Sequence, residues 1–233
     1  MNGAPTPVFL AWSGGKDSAL ALAELRDDPC YAVTCLLTTV STAFDRVAIH
    51  GVRRSILAAQ ALALGLPLVE APLPAGSDNA AYDAAWAAAL ERAKAVVGPA
   101  STVAYGDLFL EDIRAYREAQ ARRLGLAPVF PLWNRDTRAL AERFIDAGYE
   151  AWLVCVDTTQ LPAGFAGRRF DRVLLAELPT SVDPCGERGE FHTCVVDGPG
   201  FAAPIPVRLG ERVRREERFE YCDLVPCGPG RPA

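Results

Sequence analysis

The chain has 233 residues, half of them hydrophobic and 23% charged, and a formal net charge of −5. That is enough apolar material for one large domain, with or without a small appendage, and the acidic balance gives no hint of the basic face a nucleic-acid binder carries, though a local basic patch stays open. No window approaches the ~18 apolar residues of a membrane span, and the opening MNGAPTPVFLAW lacks the basic and apolar regions of a secretory leader.

Apolar runs alternate with helical patterns through the first two thirds of the chain. Val8 to Trp12 reads as a short buried strand, followed by a Gly-rich turn and a helix through Leu20, Leu22 and Leu25. Tyr31 to Thr39 reads as a second strand, Val52 to Leu64 as a helix stopped by Gly65, and Pro67 to Pro72 as a third strand. A long Ala-rich helix over 80–97 leads to a strand at Thr102 to Tyr105, with Gly106-Asp107 at its end. Then come a helix over 110–124, an extended piece over 128–133, a helix over 137–147 and an apolar strand from Ala151 to Val156. This alternation predicts an α/β fold: an open, mostly parallel sheet with helices on both faces.

The pattern changes after Asp157, where Gly and Pro become frequent. Ile205, Val207 and Leu209 alternate at period two, and Gly210-Glu211 is the expected turn into a further strand carrying Val213, Phe219 and Tyr221. We therefore expect an α/β domain over 1–157 and a smaller, partly antiparallel α+β region over 158–233 on the same core. The mixed charges of ERVRREERFE read as a solvated strand face, and the closing CGPGRPA as a disordered tail. The seven cysteines are scattered without a C-x-x-C pair, which fits reduced, mostly buried thiols in a cytoplasmic protein.

The hexapeptide Ser13-Gly14-Gly15-Lys16-Asp17-Ser18 follows a strand and opens a helix, the context a phosphate-binding loop needs. Gly14 and Gly15 let the backbone approach an anion closely, the first helical N–H groups point at it, and Ser13, Ser18 and Lys16 add donors and charge. Asp17 suits a helix cap or a Mg²⁺ contact. The loop is neither a Walker A motif nor a dinucleotide fingerprint, since Lys16 precedes an Asp and G-x-G-x-x-G is absent.

A second constellation lies in DPCGERGEFHTCVVDGPGF at 183–201. Asp183, Glu187, Glu190, Asp197 and His192 fall within 15 residues of Gly- and Pro-rich chain. Such carboxylates serve as metal ligands, as holders of a cationic or ammonia-like nucleophile, or as bases. A zinc site from Cys185, His192 and Cys194 is a weaker reading, because the spacing is irregular and no fourth ligand is evident. His50, before Gly51, suits packing or function equally, and Phe130 and Trp133 read as core residues.

SGGKDS resembles the PP-loop of the N-type ATP pyrophosphatases, which cleave ATP to AMP and pyrophosphate. Together with HGVRRSILAAQALALGLPL at 50–68, YGDLFLEDIRAYRE at 105–118, PLW at 131–133 and GERGEFHT, the chain resembles the diphthine–ammonia ligase family from about residue 8 to 205. The resemblance implies an adenine nucleotide alpha hydrolase-like fold. It also implies a two-step reaction: a substrate carboxylate takes AMP from ATP, and ammonia then forms the amide. Residues 1–157 would be the ATP-binding domain and 158–233 the substrate side.

On that resemblance, Ser13, Gly14, Gly15, Lys16, Asp17 and Ser18 bind ATP, with Thr38 and Thr39 near the adenine. Asp17 and Asp107 are the Mg²⁺ candidates, and Lys16, Asp107, Glu187, Glu190 and His192 the catalytic ones. The implied partners are ATP, Mg²⁺, ammonium and a carboxylate-bearing substrate, carried on a protein in the family's eukaryotic and archaeal members. A homodimer stays open, and neither membrane nor nucleic acid is expected. The Ala-, Arg-, Gly- and Pro-heavy composition points to a GC-rich, bacterial source, for which the chemistry would carry over and diphthine would not. Two rival readings are a PP-loop tRNA-modifying enzyme, which would want a basic surface or paired cysteines, and a nucleotide-binding regulator without turnover, which would not need the GERGEFHT carboxylates.

Overall fold

The structure, a computed structural model, describes residues 4–47 and 51–227. His50 and the tail beyond Cys227 lie outside the described residues. Ten strands and six helices run in chain order: β1 (Thr6–Ala11), α1 (Lys16–Asp27), β2 (Tyr31–Ser41), β3 (Arg46–Val47), α2 (Arg54–Leu64), β4 (Leu68–Leu73), α3 (Asn79–Val97) and β5 (Thr102–Ala104). They continue with α4 (Glu111–Arg123), β6 (Ala127–Val129), α5 (Thr137–Asp146), β7 (Glu150–Asp157), α6 (Arg172–Glu177), β8 (Phe191–Asp197), β9 (Val207–Arg215) and β10 (Phe219–Pro226). The chain forms two compact units. One holds Met1–Ser13, Asp17–Ala48 and Leu66–Arg135, and the other Gly14–Lys16, Ile49–Gly65 and Asp136–Ala233.

In the first unit, β4, β2, β1, β5 and β6 lie side by side and parallel, and β3 returns antiparallel on the end of β2. The central strands are buried on both faces, which is why they read as unbroken apolar runs. Helices α3 and α4 cover the face carrying Phe9, Cys35, Leu37, Val69, Ala71 and Val103. Each large apolar side chain buried there contributes roughly 1.5–3 kcal/mol. Asp78 caps α3 by accepting from the Ala81 N–H at 2.8 Å, and Gly98 ends it. Because β2 flanks β1 on one side and β5 on the other, the strand order reverses between β1 and β5. An open α/β sheet offers its ligand crevice at such a point, outside the carboxyl ends of the strands.

In the second unit, an antiparallel sheet runs β8-β7-β10-β9. This corrects one expectation: β7, the apolar strand at 151–156, does not extend the parallel sheet but pairs antiparallel with β8 and β10. A strand buried on both faces is equally apolar in either setting. A second correction concerns the hairpin. β9 continues through Gly210, and the turn falls at Glu216 and Glu217, both with positive φ, as a primed turn requires. Gly210 instead faces a register shift between Cys222 and Leu224, where an added Cβ would stand 2.9 Å from Val225 Cγ2. It therefore marks an irregularity in the ladder. The piece expected to be extended over 128–133 is a strand only to Val129 before turning. None of the seven cysteines is in a disulfide, five of them are buried, and burial pushes the Cys194 thiol up to about 12.

Candidate functional site

Gly14 sits at φ +79°, and an added Cβ would lie 2.8 Å from Gln60 Oε1 and 2.9 Å from Leu57 Cδ2. Only glycine fits there on both counts. Its carbonyl accepts from the Val195 N–H at 2.9 Å and from Gln60 Nε2 at 3.0 Å. The Lys16 N–H donates to Thr193 Oγ1 at 3.0 Å, and the Lys16 ammonium donates to the Cys185 carbonyl. That ammonium stands 5.5 Å from the Phe191 ring centroid and 5.8 Å from that of Phe170, leaving Lys16 only 2% exposed. Residues 185–195, which include GERGEFHT, therefore contact the Gly14–Lys16 part of the loop.

Inside that segment the carboxylates divide by role. Glu190 is buried, and its two oxygens accept from the Asp183 and Arg188 N–H groups, each at 2.9 Å. Asp183, also buried, accepts from the Cys185 N–H at 2.9 Å and from Thr137 Oγ1 at 2.7 Å. These two residues organise the loop backbone. Gly186 turns it with φ +70°, where a Cβ would come within 2.7 Å of the Phe191 carbonyl oxygen. Glu187 and His192 are half-buried, and His192 lies opposite Cys155 in the β7–β8 ladder. Asp197 closes β8, half-buried.

The remaining predicted residues belong to the first unit. Ser13 Oγ donates to Ser18 Oγ at 3.4 Å. An added Cβ on Gly106 would stand 3.0 Å from Asp17 C and O and 3.1 Å from Ser18 N, so the loop after β5 closes directly on the start of α1. Asp107 lies just beyond. Burial holds its pKa above the ordinary carboxylate value, Asp17 adds to the rise, and Arg117 opposes it. Thr38 and Thr39 pair with Glu70 and Ala71 in the sheet, and the Thr38 hydroxyl is buried without a partner among the described residues. Phe130 and Trp133 are half-buried and hold the Arg114 guanidinium between them, 5.1 and 4.6 Å from their centroids.

Sequence reasoning missed Gln60, Thr193 and Arg117. A glutamine in an Ala/Leu-rich helix carries no signal of burial, yet Gln60 is fully buried. Among the described residues no group of three His, Cys, Asp or Glu side chains is disposed to hold a metal ion, and no helix is long and apolar enough to cross a membrane.

Comparison with known proteins gives matches along most of the chain. Residues 7–128 match the diphthamide synthase N-terminal domain, and residues 136–224 the diphthamide synthase C-terminal domain. A diphthine–ammonia ligase of Schizosaccharomyces pombe is 32% identical over 111 residues, covering 46% of this chain and 18% of that protein. Those of Homo sapiens and Danio rerio are each 33% identical, over 110 and 116 residues, covering 45% and 48% of this chain and 41% and 46% of theirs. The chain thus aligns with less than half the length of each of these relatives.

Proposed function

The chain belongs to the diphthamide synthase family, and from that membership we propose that it is an ATP-dependent ligase joining a carboxylate to ammonia, with AMP and pyrophosphate as products. The observation that carries the reading is the Gly14–Lys16 stretch, held by Thr193 of GERGEFHT and by the flanking Cys185 and Val195, through the Gly14 and Lys16 backbone and the Lys16 ammonium. A phosphate loop and a carboxylate-bearing loop in direct contact serve a reaction that needs both a leaving pyrophosphate and an acceptor.

In this reading a substrate carboxylate oxygen attacks the α-phosphorus, and the bond to the pyrophosphate oxygen breaks. Ammonia then attacks the acyl carbon and releases AMP. On the family resemblance, Ser13, the Gly14–Gly15 backbone, Lys16 and Ser18 would meet the charge that grows on the leaving pyrophosphate, with Thr38 and Thr39 toward the adenine. Preorganised donors aimed at developing charge are the largest catalytic lever such a site has. Asp107, which feels the charge of Asp17, would hold Mg²⁺ together with Asp17 and phosphate oxygens, and the ion would neutralise the phosphates. Glu187 and His192 would orient or deprotonate the ammonium nucleophile, with Glu190 holding the loop backbone that carries them. The free thiols fit a cytoplasmic setting.

Chromatography of reactions containing Mg²⁺-ATP, ammonium and a panel of carboxylic acids tests the proposal. AMP and pyrophosphate dependent on both co-substrates support it, and ADP with phosphate refutes it.

A further inference from the structure

The α3–α4 face of the first unit carries a cluster of polar groups that the reaction above does not use. Arg117, on α4, lies with its Cζ 5.1 Å from the Tyr105 ring centroid and 5.8 Å from that of Tyr82, and donates to the Tyr82 hydroxyl at 2.8 Å. Tyr82 stacks on Trp86 at 6.2 Å with an interplanar angle of 8°. Tyr105 follows β5 directly, at the carboxyl end of the sheet, two residues before Asp107.

Burial and bonding in this cluster do not balance. Tyr105 and Trp86 are 1% and 2% exposed and Gln120 is fully buried. Yet the Tyr105 hydroxyl, Trp86 Nε1, Arg117 Nε and Gln120 Oε1 have no hydrogen-bond partner among the described residues. A buried polar group without a partner opposes folding, so four on one face call for an explanation. The four are also unequal in kind. Arg117 Nε–H and Trp86 Nε1–H can only donate, the Tyr105 hydroxyl can donate, and Gln120 Oε1 alone is restricted to accepting.

The groups converge. The Arg117 guanidinium lies over the Tyr105 and Tyr82 rings together. Tyr82, to whose hydroxyl Arg117 donates, stacks on Trp86 and so brings the indole into the same cluster. Burial opposes the Arg117 charge, but Tyr82, Asp107 and Tyr105 outweigh it, so the guanidinium stays charged. A fixed cation with two further donors beside it and aromatic faces around it matches a carboxylate.

We propose that Arg117, Tyr105 and Trp86 form a binding subsite for a carboxylate group. The subsite stands on the geometry alone. Its assignment to the acceptor rests on the ligase reading, which it narrows to acceptors whose carboxylate lodges between α3 and α4 beside Asp107. Tyr82 orients Arg117.

The test uses the full chain labelled with ¹⁵N-tryptophan, the Trp86 indole signal being assigned with Trp86→Phe. Glutarate is the probe, because it can give one carboxylate to the cluster and leave the other free. Glutaramide, its neutral counterpart, is the control. Saturable movement of the Trp86 signal with glutarate alone is expected. Tyr105→Phe, which removes only an unpartnered hydroxyl, should melt at or above the wild-type temperature while weakening glutarate binding tenfold or more, and Arg117→Lys should weaken it similarly. A Trp86 signal that ignores glutarate, or moves equally with glutaramide, or a Tyr105→Phe protein that binds glutarate as well as wild type, overturns the subsite. ATP binding by calorimetry is read separately. Its absence from the wild-type protein would remove the ligase reading and leave the carboxylate subsite standing or falling on the titration.

Discussion

Gln60 Nε2 donates to the Gly14 carbonyl at 3.0 Å and to the Val195 carbonyl at 2.6 Å, so one fully buried amide ties the phosphate loop to β8. Replacing it with leucine keeps the volume and leaves both carbonyls short of a donor. Gln60→Leu is expected to cost about 1–3 kcal/mol of stability and to weaken ATP binding about tenfold, since ~1.4 kcal/mol is a factor of ten. Urea unfolding and calorimetry read the two effects. Unchanged ATP affinity in a folded variant would mean that the brace does not shape the loop for nucleotide.

Asp107 predicts opposite effects on stability and activity. Its pKa is raised by burial and by Asp17, so folding favours the protonated form. The ionised carboxylate therefore costs stability above its ordinary value near pH 4, and the cost vanishes below that value. Asp107→Asn should raise the melting temperature at pH 7 and leave it unchanged at pH 3, while AMP formation falls about 10²-fold. A variant less stable at pH 7, or fully active, would contradict this placement.

Strands β1, β2, β4 and β5 and the helix end at Gly65 could be read from sequence because each carries a local signature. β7 could not, since pairing partners leave no trace in an apolar run. Nor could the division of labour among the GERGEFHT carboxylates. Spacing brought Glu187, Glu190 and His192 together, but only three-dimensional structure shows Glu190 turned inward to backbone N–H groups. Arg117 reads as one more charge on a polar helix until Tyr82 and Tyr105 close around it.

That division separates two substitutions of the same type. Glu190→Gln loses one of two acceptor oxygens and turns an amide N–H toward a backbone N–H, so it should cost ~1–3 kcal/mol of stability. Glu187→Gln should unfold as wild type does while lowering ammonium-dependent turnover by ~10²-fold. Equal stability losses in the two variants, with turnover unaffected in Glu187→Gln, would assign the whole segment to folding.

Asp157 governs the acid limit of the second unit. Its buried carboxylate accepts from Arg218 Nε at 3.0 Å and Nη2 at 2.6 Å, from Thr159 N and Oγ1, and from Gln160. Arg218 first and these hydroxyl and amide donors hold its pKa below the ordinary range. The stability it contributes is complete above the unfolded value near pH 4 and is lost as pH falls through the folded value. Asp157→Asn should cost roughly 1–3 kcal/mol at pH 7 and flatten the acid limb of the stability profile. A parallel acid limb in the variant would place that limit elsewhere.

Carboxylate attack on the α-phosphorus leaves an isotopic record. With ¹⁸O in the carboxylate of an acceptor that supports turnover, one labelled oxygen should pass to AMP, because the C–O bond breaks when ammonia forms the amide. Mass spectrometry of the AMP reads the transfer directly. One ¹⁸O per AMP, with unlabelled pyrophosphate, is the predicted result. Unlabelled AMP, or label appearing in inorganic phosphate beside ADP, would contradict the account.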